Sequence, residues 1–155
     1  MRRKEKEITD QIVLEDILAR ALVVRLGLID GQEPYIVPLC FGYAENTLYV
    51  HGALQGRKMD LVRQNPEVCF ELEAGVEILQ SDAPCKWSLK FKSVIGWGHA
   101  RIVADPLEKA KALGIIMAHY GGKTAEPWAF PDAGLRGTAV ISIRISRMTG
   151  KQSGF

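Results

Sequence analysis

The chain has 155 residues, of which 47% are hydrophobic and 25% are charged, a composition typical of one globular domain with a single core. Its net charge of +2 gives no overall attraction for nucleic acid or for an anionic membrane. The sequence also has no run of the roughly 20 apolar residues that a membrane span needs, and no apolar signal core follows its charged start. We therefore expect one cytoplasmic domain over residues 1–155, without a nucleic-acid or membrane partner.

The cysteines and histidines are few and scattered. The three cysteines, Cys40, Cys69 and Cys85, form no C-x-x-C pair, so neither a disulfide framework nor a zinc site is indicated. Cys69 lies in an apolar run and is expected to be a buried thiol. His99 and His119 have no clustered partners, so we expect structural or exposed roles for both and no metal site.

In the first half of the chain, a helix from Thr9 to Ala21 is predicted, because its apolar residues fall on one helical stripe and Thr9 or Asp10 provides a cap. A short helix is also predicted from Arg57 to Gln64, where Asn65-Pro66 ends it. Between these helices, strands bounded by turn signals are predicted over 23–29, 34–43 and 47–51. The last two are separated by a short turn at Ala44–Asn46 and are expected to form an antiparallel hairpin.

The second half begins with a strand over 67–74, followed by a stretch over 75–86 without a clear period. A long strand over 87–103 carries Gly96 and Gly98 on one face, which indicates a bend or the close approach of another backbone. A helix over 105–120 is expected to bury Leu107, Ala110, Leu113, Gly114 and Met117. A loop over 121–134 precedes the last strand, near 136–146. Six strands with short turns favour an antiparallel barrel or sandwich.

The stretch HGALQGRKMD, residues 51–60, combines glycines and cations at the start of a helix. Gly52 and Gly56 allow sharp turns that expose backbone N–H groups, and the helix start adds partial positive charge. Arg57 and Lys58 add two full charges, so the stretch can hold a phosphate monoester. The alternative is that both cations only solvate an exposed helix start. The G-K-[ST] ending of a Walker motif is missing, and no G-x-G-x-x-G follows the first strand, which argues against a Rossmann site.

Three segments in this order, PYIVPLCFGY, LYVHGALQGRKMDLVRQNPEVCFE and SVIGWGHARIV, resemble the FMN-binding split-barrel superfamily of pyridoxamine 5'-phosphate oxidase. Within it the chain is most similar to the nitroimidazole-resistance (Nim) type, including its Thr149-Gly150-Lys151 ending. The resemblance covers Ile8 to Lys151. It implies a mainly β (α+β) fold, a six-stranded antiparallel Greek-key split β-barrel with flanking helices. It also implies FMN as the cofactor and a homodimer with the flavin at its interface.

The resemblance also implies which residues contact the flavin. Arg57 and Lys58 match the phosphate-binding pair, although the loop before them is about two residues longer than in the oxidase. Ser93 matches a polar position that reaches the flavin, commonly across the dimer interface. The other implied cofactor-binding residues are Tyr35, Ile36, Val37, Pro38, Leu39 and Cys40, which lie along the isoalloxazine ring, and Val50 and His51, near the ribityl chain and phosphate.

His51 is the candidate catalytic residue, for proton delivery or substrate contact, because a histidine lies near the flavin at this place in Nim-type proteins. A histidine titrates near neutral pH, which suits that role. The alternative is that it only hydrogen-bonds the phosphate. The chain ends in TGKQSGF and lacks the arginine- and histidine-bearing segment that grips the substrate in vitamin B6-phosphate oxidases, which argues against that activity.

The resemblance therefore implies an FMN-dependent oxidoreductase that reduces small electrophiles such as nitroaromatics or quinones. Two alternatives remain open. One is a non-catalytic module that stores or senses flavin, since His51 is the sole acid–base candidate near the expected pocket. The other is a split barrel that binds haem or a deazaflavin.

Overall fold

The computed structural model describes residues 3–122 and 128–155, and its main feature is one antiparallel sheet of eight strands. The strands in chain order are β1 (Glu7–Ile8), β2 (Val24–Asp30), β3 (Glu33–Leu39), β4 (Phe41–Ala44), β5 (Thr47–Gly52), β6 (Glu67–Leu79), β7 (Ser88–Ile102) and β8 (Ala139–Ser153). Their order in the sheet is β3-β2-β6-β7-β8-β5-β4, with β1 paired to β8. The predicted mainly β antiparallel class is confirmed.

The structure has eight strands where the sequence predicts six. The predicted strand over 34–43 is divided at Cys40, so that β3 pairs with β2 while β4 pairs with β5. The strands β6 and β8 also run past their predicted ends at residues 74 and 146. Both extensions follow an irregularity in pairing, after Ala74 in β6 and opposite Trp97–Gly98 in β8. A bulge shifts the two-residue alternation of apolar and polar side chains. The alternating pattern in the sequence therefore ends at the bulge, although the strand continues beyond it.

The hairpin of β4 and β5 turns at Glu45 and Asn46, which both have positive φ, 50° and 58°. Two such residues in succession form the type of turn that matches the twist of a two-residue hairpin. The predicted turn and hairpin are confirmed, with only the second half of the predicted first strand taking part.

Four α-helices flank the sheet: α1 (Gln11–Arg20), α2 (Arg57–Gln64), α3 (Pro106–Gly121) and α4 (Asp132–Gly137). Asp10 caps α1 and Asp105 caps α3, since each carboxylate accepts hydrogen bonds from backbone N–H groups in the first turn. The helix α4 covers the end of the segment predicted as a loop over 121–134 and the first two residues of the strand predicted near 136–146, which begins only at Ala139. Residues 123–127 of that loop lie outside the described ranges. None of the helices in the described part of the chain is long and apolar enough to cross a membrane.

The buried side of α3 differs from the prediction. Leu107 and Met117 are exposed, whereas Ala112 and Ile116 are buried. Ala112 packs with Val103 and Val140 in a small cluster on the outer face of the sheet. The helix therefore packs against the sheet through small and β-branched residues. The hydrophobic periodicity of its sequence does not identify these residues as the buried ones.

The main core lies on the inner face of the curled sheet, and two glycines fix its packing. A side chain at Gly96 would overlap the ring of Phe70, which is fully buried, and a Cβ at Gly98 would lie 2.5 Å from the Arg144 carbonyl oxygen. The expected close approach of another backbone is therefore confirmed at Gly98, whereas the close neighbour of Gly96 is a side chain. On β8, Ile141, Ile143 and Ile145 are all buried in the core.

Candidate functional site

The glycine-rich stretch before α2 opens a helix, as predicted. Gly56 has φ +120° and precedes Arg57, the first residue of α2. No side chain in the described ranges caps this helix start, and the N–H of Met59 donates to the Gly56 carbonyl oxygen at 2.8 Å, which leaves the first two N–H groups of the helix for another acceptor. Gly52 ends β5, and the chain between these two glycines brings the end of that strand next to the helix start. Free N–H groups and the helix dipole make this end of α2 favourable for an anion.

Lys58 is the cation at this helix start that lacks an acidic partner. Its Nζ donates a 3.4 Å hydrogen bond to the carbonyl oxygen of His51 and has no carboxylate partner among residues 3–122 and 128–155. The ammonium lies directly over Gly52, where a Cβ would be only 2.7 Å from Nζ. Partial burial lowers the pKa of Lys58. A half-buried ammonium without a counter-ion is the kind of group that an incoming phosphate would stabilise.

Arg57 is held differently. Its Nε donates a 2.6 Å hydrogen bond to Asp30, at the end of β2, and its guanidinium lies 4.6 Å from the centre of the Tyr35 ring. The structure therefore brings the predicted phosphate-binding arginine next to the strand that was predicted to lie along the flavin ring. In the sequence, Asp30 precedes Gly31, a pair that by itself indicates only a turn. Its place beside that glycine gave no indication of a partner 27 residues further along.

The predicted ring-binding segment is an edge strand. In the sheet order β3 has β2 as its one neighbour, so part of its backbone N–H and C=O groups lack a strand partner. Pro38 is tolerated there because an edge strand does not need every N–H. Tyr35, Val37 and Leu39 pack partly against the core, while Ile36 is exposed on the other face. An edge of this kind offers a flat ligand both backbone hydrogen bonds and apolar contact.

The remaining predicted residues are placed unevenly. Cys40 is exposed between β3 and β4, and His51 is exposed at the end of β5 beside Lys58. Val50 is fully buried with its side chain in the core, and β5 pairs there with β4 on one side and with β8 on the other. Ser93 pairs with Glu73 and lies on β7, three strands from β3, or roughly 14 Å at the usual strand spacing. The chain alone does not bring Ser93 to the site.

The other two histidines lie elsewhere, as expected. His99 is exposed, and its Nδ1 lies 3.0 Å from a carboxylate oxygen of Glu67. The Nε2 of His119 is hydrogen-bonded to the Ala21 carbonyl oxygen at 2.7 Å, and its ring packs on Phe41. Cys69, expected to be buried, is half-buried on the outer face, and this burial raises the pKa of its thiol.

The described residues therefore form a mainly β, antiparallel protein in which an uncapped helix start with two cations lies next to an edge strand. The family model described as pyridoxamine 5'-phosphate oxidase matches residues 10–152. The chain belongs to this family.

Individual relatives agree with that assignment. A structure from Bacteroides thetaiotaomicron VPI-5482, proposed to be a 5-nitroimidazole antibiotic resistance protein, is 31% identical, with a TM-score of 0.82 over 94% of this chain and 86% of that one. The FAD and haem binding protein of Mycobacterium smegmatis shares the fold, with 19% identity and a TM-score of 0.84 over 97% of this chain and 74% of that one.

A third similarity is partial. The uncharacterized protein RA0666 of Rhizobium meliloti strain 1021 is 31% identical over 58 residues. That alignment spans 37% of this chain and 38% of the rhizobial protein.

Proposed function

We propose that this protein binds FMN, with the phosphate held at the start of α2 and the isoalloxazine ring along β3. The observation that carries the proposal is the ammonium of Lys58, which is half-buried over Gly52 and lacks a carboxylate partner in the described ranges. A phosphate dianion at this position would supply the missing counter-charge and accept from the free N–H groups of the helix. The family, and the FAD and haem binding protein that shares the fold, support a flavin as the ligand.

The edge strand supports the position of the ring. A flavin ring has an apolar body and a rim of hydrogen-bonding groups, so it needs a flat apolar surface and a few backbone partners. Unpaired backbone on β3 and the exposed Ile36 supply both. Because Arg57 contacts Tyr35 and also begins α2, the ring segment and the phosphate segment adjoin each other.

We further propose that the protein is an oxidoreductase that reduces small electrophiles such as nitroaromatics or quinones. The flavin supplies the electron transfer when it is bound. His51 is exposed next to Lys58, where its imidazole can deliver a proton or orient a substrate. The similarity to the Bacteroides protein favours nitro compounds as the first acceptors to test.

A homodimer would complete the site. The far ends of β6 and β7 expose Val76, Ile78, Trp87 and Leu89, an apolar surface of the kind that marks interfaces. A two-fold arrangement that covers this surface would carry Ser93 of one chain toward the flavin of the other. Light scattering after size-exclusion chromatography should give about twice the mass of one chain, and a monomer would contradict this part of the proposal.

The decisive measurement is the visible spectrum of the purified protein, followed by mass spectrometry of the released cofactor. Flavin bands with a released mass equal to FMN would support the proposal. A released mass equal to FAD would support a flavin-binding protein but contradict FMN as its cofactor. Absence of flavin bands together with no uptake of added FMN would overturn it. A Soret band or deazaflavin fluorescence would instead favour haem or a deazaflavin.

A separate experiment distinguishes catalysis from flavin storage. The flavoprotein would be reduced anaerobically with NAD(P)H and mixed in a stopped-flow instrument with a nitro compound or a quinone. Rapid reoxidation of the flavin is expected for the oxidoreductase. Reoxidation no faster than that of free reduced FMN would identify a binding or storage protein.

A further inference from the structure

A second polar recess, of about 330 Å³, lies on the outer face of the sheet. Strand register forms it, since three neighbouring strands present two rows of outward-facing side chains. Each row takes one residue from β5, one from β8 and one from β7. The first row is Thr47, Arg144 and His99, and the second row is Tyr49, Ser142 and Arg101. Adjacent strands lie about 4.8 Å apart, so these side chains can converge on one small ligand.

The two arginines of the recess differ in their partners. Arg101 is held by two hydrogen bonds to the carboxylate of Glu108, which stands on α3 at the side of the recess. Arg144 donates to the carbonyl oxygen of Glu45 at 3.1 Å but has no carboxylate partner in the part of the chain that the structure describes. The charge of Arg101 is therefore compensated, while that of Arg144 is not.

The hydroxyl groups of the recess are unusual in their burial. Thr47 and Ser142 have exposed fractions of 8% and 7% and are the two buried polar residues within residues 3–122 and 128–155. Each makes one long hydrogen bond to a backbone carbonyl, at 3.3 and 3.4 Å. A hydroxyl can rotate to donate to a ligand instead, and the Tyr49 side chain lines the same recess.

We propose that this recess binds a small molecule through a single carboxylate or phosphate group, with Arg144 as the cation and the hydroxyls of Thr47, Tyr49 and Ser142 as donors. Its volume lies within the usual range of small-molecule sites, roughly 300–1,000 Å³. The proposed cation is separate from the proposed phosphate position of FMN, because Arg144 pairs with Thr47 at one end of β5 whereas Gly52 is at the other end, about 16 Å away at 3.3 Å per residue.

The test is a titration of the ¹⁵N-labelled full chain with inorganic phosphate and, separately, with acetate, at constant ionic strength against a chloride reference. Saturable amide shifts are expected near Thr47, Arg101 and Ser142. Arg144→Gln should raise the apparent Kd at least tenfold, while the matched control Arg20→Gln, on an exposed arginine paired with Asp16, should leave it unchanged.

Thr47→Val is a second variant, for the case that Arg144→Gln does not fold. Valine is nearly equal to threonine in volume but lacks the hydroxyl, so this substitution should weaken binding several-fold. Phosphate shifts around Gly52 and Lys58 belong to the proposed flavin site and should persist in Arg144→Gln. Three results would overturn the proposal. The amide shifts would be confined to the region of Gly52 and Lys58, or chloride alone would cause the same shifts, or the shifts near Thr47 would be unchanged in both Arg144→Gln and Thr47→Val.

Discussion

The guanidinium of Arg57 is paired with Asp30: its Nε and Nη2 both lie 2.6 Å from one carboxylate oxygen. The pair is partly exposed, so it contributes little to stability, but it compensates one of the two cations at the start of α2. Lys58 then carries the uncompensated charge. This division of roles, with one cation held and one free, underlies the predictions for the proposed flavin site.

Asp30→Asn should strengthen FMN binding. The substitution removes the negative charge beside Arg57 and leaves a neutral hydrogen-bond acceptor, so the guanidinium would contribute its full charge to the phosphate. We expect about a two- to fivefold lower Kd for FMN, of the order of an exposed ion pair, and no change for riboflavin. Asp16→Asn, which breaks an exposed pair on α1, is the control. Weaker FMN binding in Asp30→Asn would contradict the assignment.

Lys58→Met should weaken FMN much more than riboflavin, which lacks the phosphate. A hydrogen bond to a charged group contributes about 1.5–3 kcal/mol, so the Kd for FMN should rise roughly 10- to 100-fold. Fluorescence titration of the apoprotein with each flavin measures both constants. Lys111→Met, on the exposed side of α3, controls for the loss of one positive charge. Equal losses for the two flavins would place the phosphate elsewhere.

The pH dependence of FMN affinity should follow Lys58. Burial lowers the pKa of this lysine below its ordinary value of 10.5, and the bound phosphate would favour the charged form. The phosphate monoester is a dianion only above its second pKa of roughly 6. Affinity should therefore be constant from about pH 7 upward and should fall as the pH rises through the lowered pKa of Lys58 in the free protein. Riboflavin titrated over the same range corrects for ionisation of the flavin ring. An FMN-to-riboflavin affinity ratio that stays flat up to pH 10.5 would be evidence against this role of Lys58.

Gly52→Ala should impair phosphate binding while the protein stays folded. The new methyl group would lie 2.7 Å from Nζ of Lys58, and the flexible end of that side chain can move away at little cost to the fold. We expect about a five- to tenfold weaker affinity for FMN, a partial loss of the charged hydrogen bond. The melting temperature should stay close to that of the wild type. Gly134→Ala, where the methyl meets no neighbour, serves as the control.

Gly96→Ala should destabilise the main core. Its methyl would overlap the buried ring of Phe70, and overpacking of this kind costs about 1–3 kcal/mol. For a chain of this length that corresponds to a melting temperature lower by roughly 2–12 °C. Adding Phe70→Leu should recover part of the loss, because the two residues share one space. Strictly additive effects of the two substitutions would show that the contact is not the cause.

Part of the site could be predicted from the sequence because its elements are local. Gly56, Arg57 and Lys58 are adjacent in the chain, and the helix signal after them fixes where their N–H groups point. Asp30 could not be predicted as a partner of Arg57, since nothing local joins a turn at the end of β2 to a helix 27 residues later. The recess around Arg144 was missed for the same reason, because its rows depend on the pairing of three strands.

The sequence by itself determined the antiparallel β class, a helix cap at Thr9 or Asp10 and the helix start at Arg57, since each follows from short-range periodicity or from the chemistry of one turn. Only the tertiary structure decided the break at Cys40, the strand extensions beyond the bulges and the buried side of α3. Those features depend on which strand or helix packs alongside, and the hydrophobic period of a segment does not identify its neighbour.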